Sequence, residues 1–326
     1  MITEFVNYKV YNHTYKAKRK ILYPKNFSSL FKSLRYLKKL NIKPIIISGN
    51  CGHGDKSFLS ESEYIVSLEK LNKVIRLNTK KKIVEVQAGV NLYNLFKLLQ
   101  KKNYFVFNIP GGKKISDGGA VAGNVHGRPQ LKNFTTFGDN IVYIKYIDEN
   151  FKLKKVTNNN LIFKKLIGSL GIYGIIVEVG IKIFKIKHNL VKKIDKNILN
   201  TKDFIKYSSQ NNSFYGFINY FEKKKIVGNF TFFDNSKANH STQKKRKIDL
   251  LNLINIFKFD SLISFFINQY TLRIFYFAIF NLKNFVTFNK MKSSITNFEN
   301  SIYFVNINTY LPYYFRKGMV EIQFSV

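Results

Sequence analysis

GGAVAGNVHG, residues 118–127, places four glycines and one histidine in ten positions of a chain otherwise crowded with Lys, Asn, Ile and Phe. Bare backbone at this density serves unusual dihedrals or close approach by another group. A second such stretch, SGNCGHGDKS (48–57), directly follows a predicted strand at 43–47, and the first belongs to a longer run, PGGKKISDGGAVAGNVHGR (110–128). Glycine-rich backbone after a strand can present N–H groups to a phosphate. Two such loops, each carrying a histidine (His53 and His126), point to a nucleotide cofactor, with simple tight turns as the plain alternative. Neither loop fits GxGxxG before a helix or GxxxxGK[ST], so the ordinary dinucleotide and triphosphate fingerprints are absent. His13, His53, His126, His188 and His240 have no paired Cys or His at ligand spacing, so no metal site is expected.

Around these loops the apolar spacing alternates between helix and strand. Leu30, Phe31, Leu34, Leu37 and Leu40 recur at helical spacing behind a capping Asn26. A strand over 82–90 leads into a helix carrying Leu92, Leu95, Leu98 and Leu99 on one face. A hairpin is expected around Asp148, Glu149 and Asn150, then a short helix, a glycine turn (Gly168, Gly171, Gly174) and a long β-branched strand. From about residue 186 the character changes to a helix followed by strands over 214–221 and 226–233, so a second domain is placed at 186–326 after a first at 1–185. GMVEIQFSV (318–326) reads as a strand at which the chain stops, so a truncated second domain is expected.

The 326 residues carry 54 basic and 19 acidic side chains, a net charge of +35. Such a balance suits nucleic acid, an anionic membrane surface or a phosphorylated ligand. Only seven of the basic residues are Arg, the preferred reader of phosphates and bases, which argues against nucleic acid and fits AT-rich coding. Peripheral attraction to anionic lipid remains open. A single cysteine, Cys51, excludes an intrachain disulfide and fits a reducing compartment. The N-terminus has no apolar run of signal-peptide type. The apolar stretch 261–282 is interrupted by Asn268, Gln269 and Arg273, so a buried or interfacial helix is expected there in place of a membrane span. The expected location is the cytoplasm, with the inner face of the membrane as a peripheral site.

Six blocks carry a resemblance: SGNCGHGDKS, EYIVSLEKLNKVI, VEVQAGVNLYNLFKLL, PGGKKISDGGAVAGNVHG, TFGDNIV and GSLGIYGIIVEVGIKI. In order and spacing they resemble the FAD-binding domain of the FAD-linked oxidases of vanillyl-alcohol oxidase and p-cresol methylhydroxylase type. Within that family they are most similar to the decaprenylphosphoryl-β-D-ribose 2-oxidase group, whose loop reads GGAxAxxxHGK and whose later strand ends GFxQYQF. The resemblance implies an α+β fold: a two-subdomain FAD-binding domain followed by an α+β substrate, or cap, domain that is incomplete here.

It also implies roles by position. Ser48, Gly49, Asn50, Cys51, Gly52, His53, Gly54, Asp55 and Ser57 would wrap the FAD diphosphate. Pro110, Gly111, Gly112, Ser116, Asp117, Gly118 and Gly119 would line the diphosphate and flavin channel. Gly123, Asn124, His126 and Gly127 would sit by the isoalloxazine, and Gly174 and Ile176 on the adenine side. The implied reaction oxidises a secondary alcohol of a sugar, with a polyprenyl-phosphate-linked sugar of the cell-wall or glycolipid precursor kind among the implied substrates, by hydride transfer to flavin N5. Oxidation of an aldonolactone, or an inactive truncated FAD-binding protein, are the alternatives. Gln323 and Arg128 are the implied substrate contacts, and the family's C-terminal lysine near the flavin has no counterpart in this chain. His53 stands where the family has Tyr; some relatives attach FAD covalently through a His in this loop, although the nearest bind it noncovalently. Oligomeric state is left open.

Overall fold

The computed structural model describes residues 5–9, 16–49, 62–130, 134–186, 190–210, 213–218, 228–234, 270, 271, 274 and 292–303. Its contacts divide the chain into two units, Met1–Lys187 and His188–Val326.

The first unit begins with strands β1 (Phe5–Lys9) and β2 (Lys16–Leu22), helix α1 (Phe27–Lys39), and strands β3 (Ile45–Ile47) and β4 (Tyr64–Ser67). These strands form one mixed sheet in the order β1-β2-β4-β3, with β2, β4 and β3 parallel. Asn26 starts α1 as the spacing predicts: its side chain accepts from Ser29 N–H at 2.8 Å, while Ser29 Oγ accepts from Asn26 N–H at 3.1 Å. The helix then buries Leu30, Leu34 and Leu37.

Next come β5 (Val74–Asn78), β6 (Ile83–Gln87), α2 (Leu92–Gln100), β7 (Tyr104–Phe105) and α3 (Asp117–Ala122). After them follow β8 (Ile141–Ile147), β9 (Leu153–Thr157), α4 (Leu161–Leu166), β10 (Ile175–Lys182) and β11 (Phe184–Lys185). Five of these strands form an antiparallel sheet in the order β5-β6-β10-β8-β9, and β7 pairs separately with β11. The β8–β9 hairpin closes where expected, with Asp148 Oδ1 accepting from Asn150 N–H and Lys152 N–H at 3.0 and 2.8 Å. One buried cluster joins both sheets through α1: Leu22 and Val66 from the first, Ile147 and Val177 from the second, and Leu30, Leu34 and Leu37 between them. Ala88, at the end of β6, belongs to this cluster, so whatever packs on it is fixed to the middle of the unit.

The three central strands of the larger sheet, β6, β10 and β8, carry a polar network. Tyr143 donates to buried Glu178 at 2.8 Å and lies 3.2 Å from Glu85, and Lys145 pairs with Glu178 at 2.7 Å. Pairing satisfies a carboxylate whose isolated burial would be costly. Burial and the two neighbouring carboxylates push the Tyr143 phenol far above its ordinary value.

The second unit contains β12 (Leu190–Ile198), α5 (Thr201–Gln210), β13 (Ser213–Ile218), β14 (Gly228–Asp234) and β15 (Lys292–Asn297), with sheet order β13-β14-β12-β15. Its core gathers Ile194, Ile198, Phe204, Phe230 and Phe232, with Tyr207 and Phe214 against it. A helix and two strands are expected there, and the structure adds β12 ahead of the helix. The stretches 261–269 and 318–326 lie outside the described residues. Among the described residues, no helix is long and apolar enough to cross a membrane.

Candidate functional site

The site is assembled around α3, a six-residue helix that the glycine-rich loop encloses. Its first turn is sewn to the end of β6: Asp117 N–H donates to Val90 O and Gly118 N–H to Ala88 O, each at 2.8 Å. Ala88 N–H in turn donates to Val177 O in β10 at 3.0 Å. A Cβ at Gly118 would lie 2.6 Å from Ala88 Cβ, so only glycine allows α3 to approach the sheet this closely.

Ser48 and Gly49, leaving β3, meet the start of this helix. Ser48 Oγ and Ser116 Oγ are 2.8 Å apart, and a Cβ at Gly49 would fall 2.7 Å from Ser116 Oγ. A Cβ at Gly119 would stand 3.1 and 3.4 Å from the same two hydroxyls. Two hydroxyls sharing one hydrogen bond spend one proton between them, leaving the other free to donate. Ser116 caps α3 by position but makes no side-chain cap bond, so its hydroxyl is directed to Ser48 instead. Bare backbone beside this donor pair suits an anionic ligand such as a diphosphate.

The other end of α3 is held by the turn that leads into β10. Gly168 N–H and Leu170 N–H donate to Val121 O and Ala122 O at 3.1 and 2.9 Å. Asn124, in left-handed conformation at φ 41°, accepts from Gly138 N–H at 3.1 Å, next to exposed Gly123. The loop then returns through exposed His126 to Gly127 and Arg128, both buried. Arg128 exchanges backbone bonds with Ile109 at 3.0 and 3.2 Å, ahead of Pro110. A Cβ at Gly127 would come within 2.2 Å of Ile109 O, so this glycine is required by the chain's own packing.

The structure thus brings Ser48, Gly49, Ser116 and Gly119 together, with Asp117 and Gly118 behind them. Gly111 and Gly112 are half-buried in the connecting loop, where a Cβ at Gly112 would lie 3.0 Å from Ile115 Cδ1. Gly174 begins the β10 approach at φ 143° against the Tyr146 ring, and Ile176 is buried in β10 opposite Tyr146. Asn50, Cys51, Gly52, His53, Gly54, Asp55, Ser57 and Gln323 lie outside the described residues. Among the described residues, no three His, Cys, Asp or Glu side chains gather as metal ligands.

Asp117 has an unusual environment. It is fully buried, and among the described residues neither carboxyl oxygen has a hydrogen-bond partner. Desolvation raises its pKa well above the ordinary carboxylate range. Two asparagines that the sequence reading passed over hold the surrounding loops. Asn108, left-handed at φ 55° and fully buried, donates to Thr136 O at 3.2 Å and to Phe134 O. Asn140 donates to Phe107 O and Phe137 O, each at 3.0 Å. Their signal in sequence is slight: an Asn just ahead of Ile-Pro-Gly, and one ending the TFGDN block.

Known proteins share this part of the chain. Residues 19–157 match the family described as an FAD binding domain. A putative D-arabinono-1,4-lactone oxidase of Neurospora crassa is 26% identical over 161 residues, 49% of this chain and 28% of that protein. The decaprenylphosphoryl-beta-D-ribose oxidase of Mycolicibacterium smegmatis is 24% identical over 121 residues, 36% and 26% of the two chains. The D-arabinono-1,4-lactone oxidase of Candida glabrata is 27% identical over 150 residues, 44% and 28%. The chain therefore spans less than a third of the length of these relatives. In structure, alkyldihydroxyacetonephosphate synthase superposes with a TM-score of 0.51 at 18% identity, over 61% of this chain and 38% of that one, and shares the fold. The bare loop around α3, the hydroxyl pair beside it and the family match all fall on one stretch of chain, residues 19–157, which is similar to the FAD binding domain family.

Proposed function

We propose that this chain is the FAD-binding portion of an oxidoreductase that oxidises a secondary alcohol of a sugar, with a polyprenyl-phosphate-linked sugar as the substrate class. The observation that carries the reading is the Ser48–Ser116 hydroxyl pair facing bare Gly119 at the start of α3, within the matched domain. When bound, FAD would supply the two-electron acceptor that no side chain provides. The chain's own residues bind and orient. Ser48 and Ser116 share one hydrogen bond, so one hydroxyl proton of the pair would be left to donate to a diphosphate oxygen, and the packed Gly118 and Gly127 turns fix the loop that would hold the cofactor. Orientation of the reacting carbinol over the cofactor contributes much of the rate in such chemistry. Arg128 and Gln323 are proposed as substrate contacts and residues 186–326 as the substrate domain. FAD is held noncovalently, with attachment through His53 as the alternative.

An aldonolactone as substrate is the second reading, favoured by the two lactone oxidases among the relatives. Anaerobic mixing of the flavin-loaded chain with each substrate separates them. Loss of the oxidised-flavin absorbance with a polyprenyl-phosphoryl ribose and not with arabinono-1,4-lactone supports the first; the reverse supports the second. Bleaching by neither substrate overturns the catalytic reading while leaving cofactor binding intact. Acid precipitation reports the attachment mode, since noncovalent flavin stays in the supernatant. Replacing both Ser48 and Ser116 by Ala should weaken FAD binding by about tenfold or more, the scale of one hydrogen bond to a charged group.

A further inference from the structure

α4 and the turn after it carry apolar side chains that the core does not use. Phe163 and Leu166 face inward and are buried, which completes the packing of α4 onto the unit. Leu161, Leu170, Ile172 and Tyr173 are instead 68%, 51%, 82% and 44% exposed. Leu161 and Lys165 are one helical turn apart, and Lys165 Nζ sits 5.4 Å from the centre of the Tyr173 ring, which ties α4 to the turn that carries Leu170 and Ile172. Leu170 is exposed at φ 54°, a left-handed conformation that a leucine adopts at a cost and an asparagine would adopt readily. Its N–H holds Ala122 O, which accounts for the backbone, while its exposed side chain has no part in the core.

Residues 151–177 contain five lysines and no acidic residue; Lys154 pairs with Asp148 at 2.8 Å, while Lys152 and Lys164 are exposed. We infer that this face docks onto an anionic lipid surface, with Leu161, Leu170 and Ile172 entering the headgroup region and the lysines meeting the headgroups. Aliphatic tips beside a tyrosine and flanking lysines are the composition that lies in a membrane interface. A second copy of the chain is the poorer occupant, because each copy carries +35 and the two lysine-bearing edges would repel. Nucleic acid suits the patch less, since 151–177 has no arginine and the protruding groups are aliphatic.

The test uses the full chain and a variant, Leu161→Ser with Ile172→Ser, which removes apolar tips outside the Gly168–Leu170 turn that holds α3. Sedimentation with vesicles of phosphatidylcholine alone and of phosphatidylcholine with phosphatidylglycerol should give binding to the anionic vesicles only. The variant should bind those vesicles at least about tenfold more weakly. Its thermal melt and its FAD content should match the parent, which keeps this inference separate from the flavin reading. Unchanged vesicle binding in a folded variant would overturn the inference. So would unchanged vesicle binding accompanied by conversion of a dimer to a monomer in light scattering, which would assign the face to a second copy.

Discussion

Asp117 is the residue whose chemistry departs furthest from its surroundings: a carboxyl with no exposure and, among the described residues, no partner on either oxygen. Because burial raises its pKa in the folded chain, the protonated form favours folding. That contribution is complete below the ordinary carboxylate value of about 4 and is lost as pH rises through the raised value. The melting temperature of the apo chain should therefore fall with rising pH across this window, and Asp117→Asn should flatten that part of the profile and raise the neutral-pH melt. Gly127 gives a second test at this scale. An added Cβ would meet Ile109 O at 2.2 Å, so Gly127→Ala should cost roughly 1–3 kcal/mol in denaturant unfolding. The glycines were legible in sequence as a loop of bare backbone, but the reason for two of them was not. Gly118 is bare because Ala88 is there and Gly127 because Ile109 is there, and both neighbours are distant in the chain.

Among the elements, α1 and α2 were readable because their apolar spacing agrees with their caps, Asn26 and Asn91. Asn26→Ala removes one half of a reciprocal cap and should cost about 1 kcal/mol, read as a lowered melting temperature. The β12 strand escaped for a physical reason. Its buried residues, Val191, Ile194 and Ile198, are three and four positions apart, which imitates a helical stripe, and lysines and Asp195 fill the places between. Tertiary pairing settles the matter: β14 and β15 flank β12 on both sides. The six-residue α3 is not legible in the sequence, since a DGGAVA segment has little intrinsic tendency to form a helix. It is held by Val90 and Ala88 at one end and by the Gly168–Leu170 turn at the other.

For the whole molecule, the order of blocks along the first unit carried more information than any single motif. Strands, helices and glycine loops recur in the sequence expected of an FAD binding domain, and the match over 19–157 falls on that unit. Charge at this scale is a weaker guide, because +35 says which partners are attracted and not where they bind. The central claim is that this chain binds FAD through the cradle at α3. It is tested most directly by titrating the refolded apo chain with FAD and following flavin fluorescence, with circular dichroism confirming the fold. The account predicts saturation at about one FAD per chain, as expected for a single site on one nucleotide domain. It also predicts weaker binding in the Ser48→Ala, Ser116→Ala double variant. A chain that keeps its native circular dichroism and takes up no flavin would contradict it.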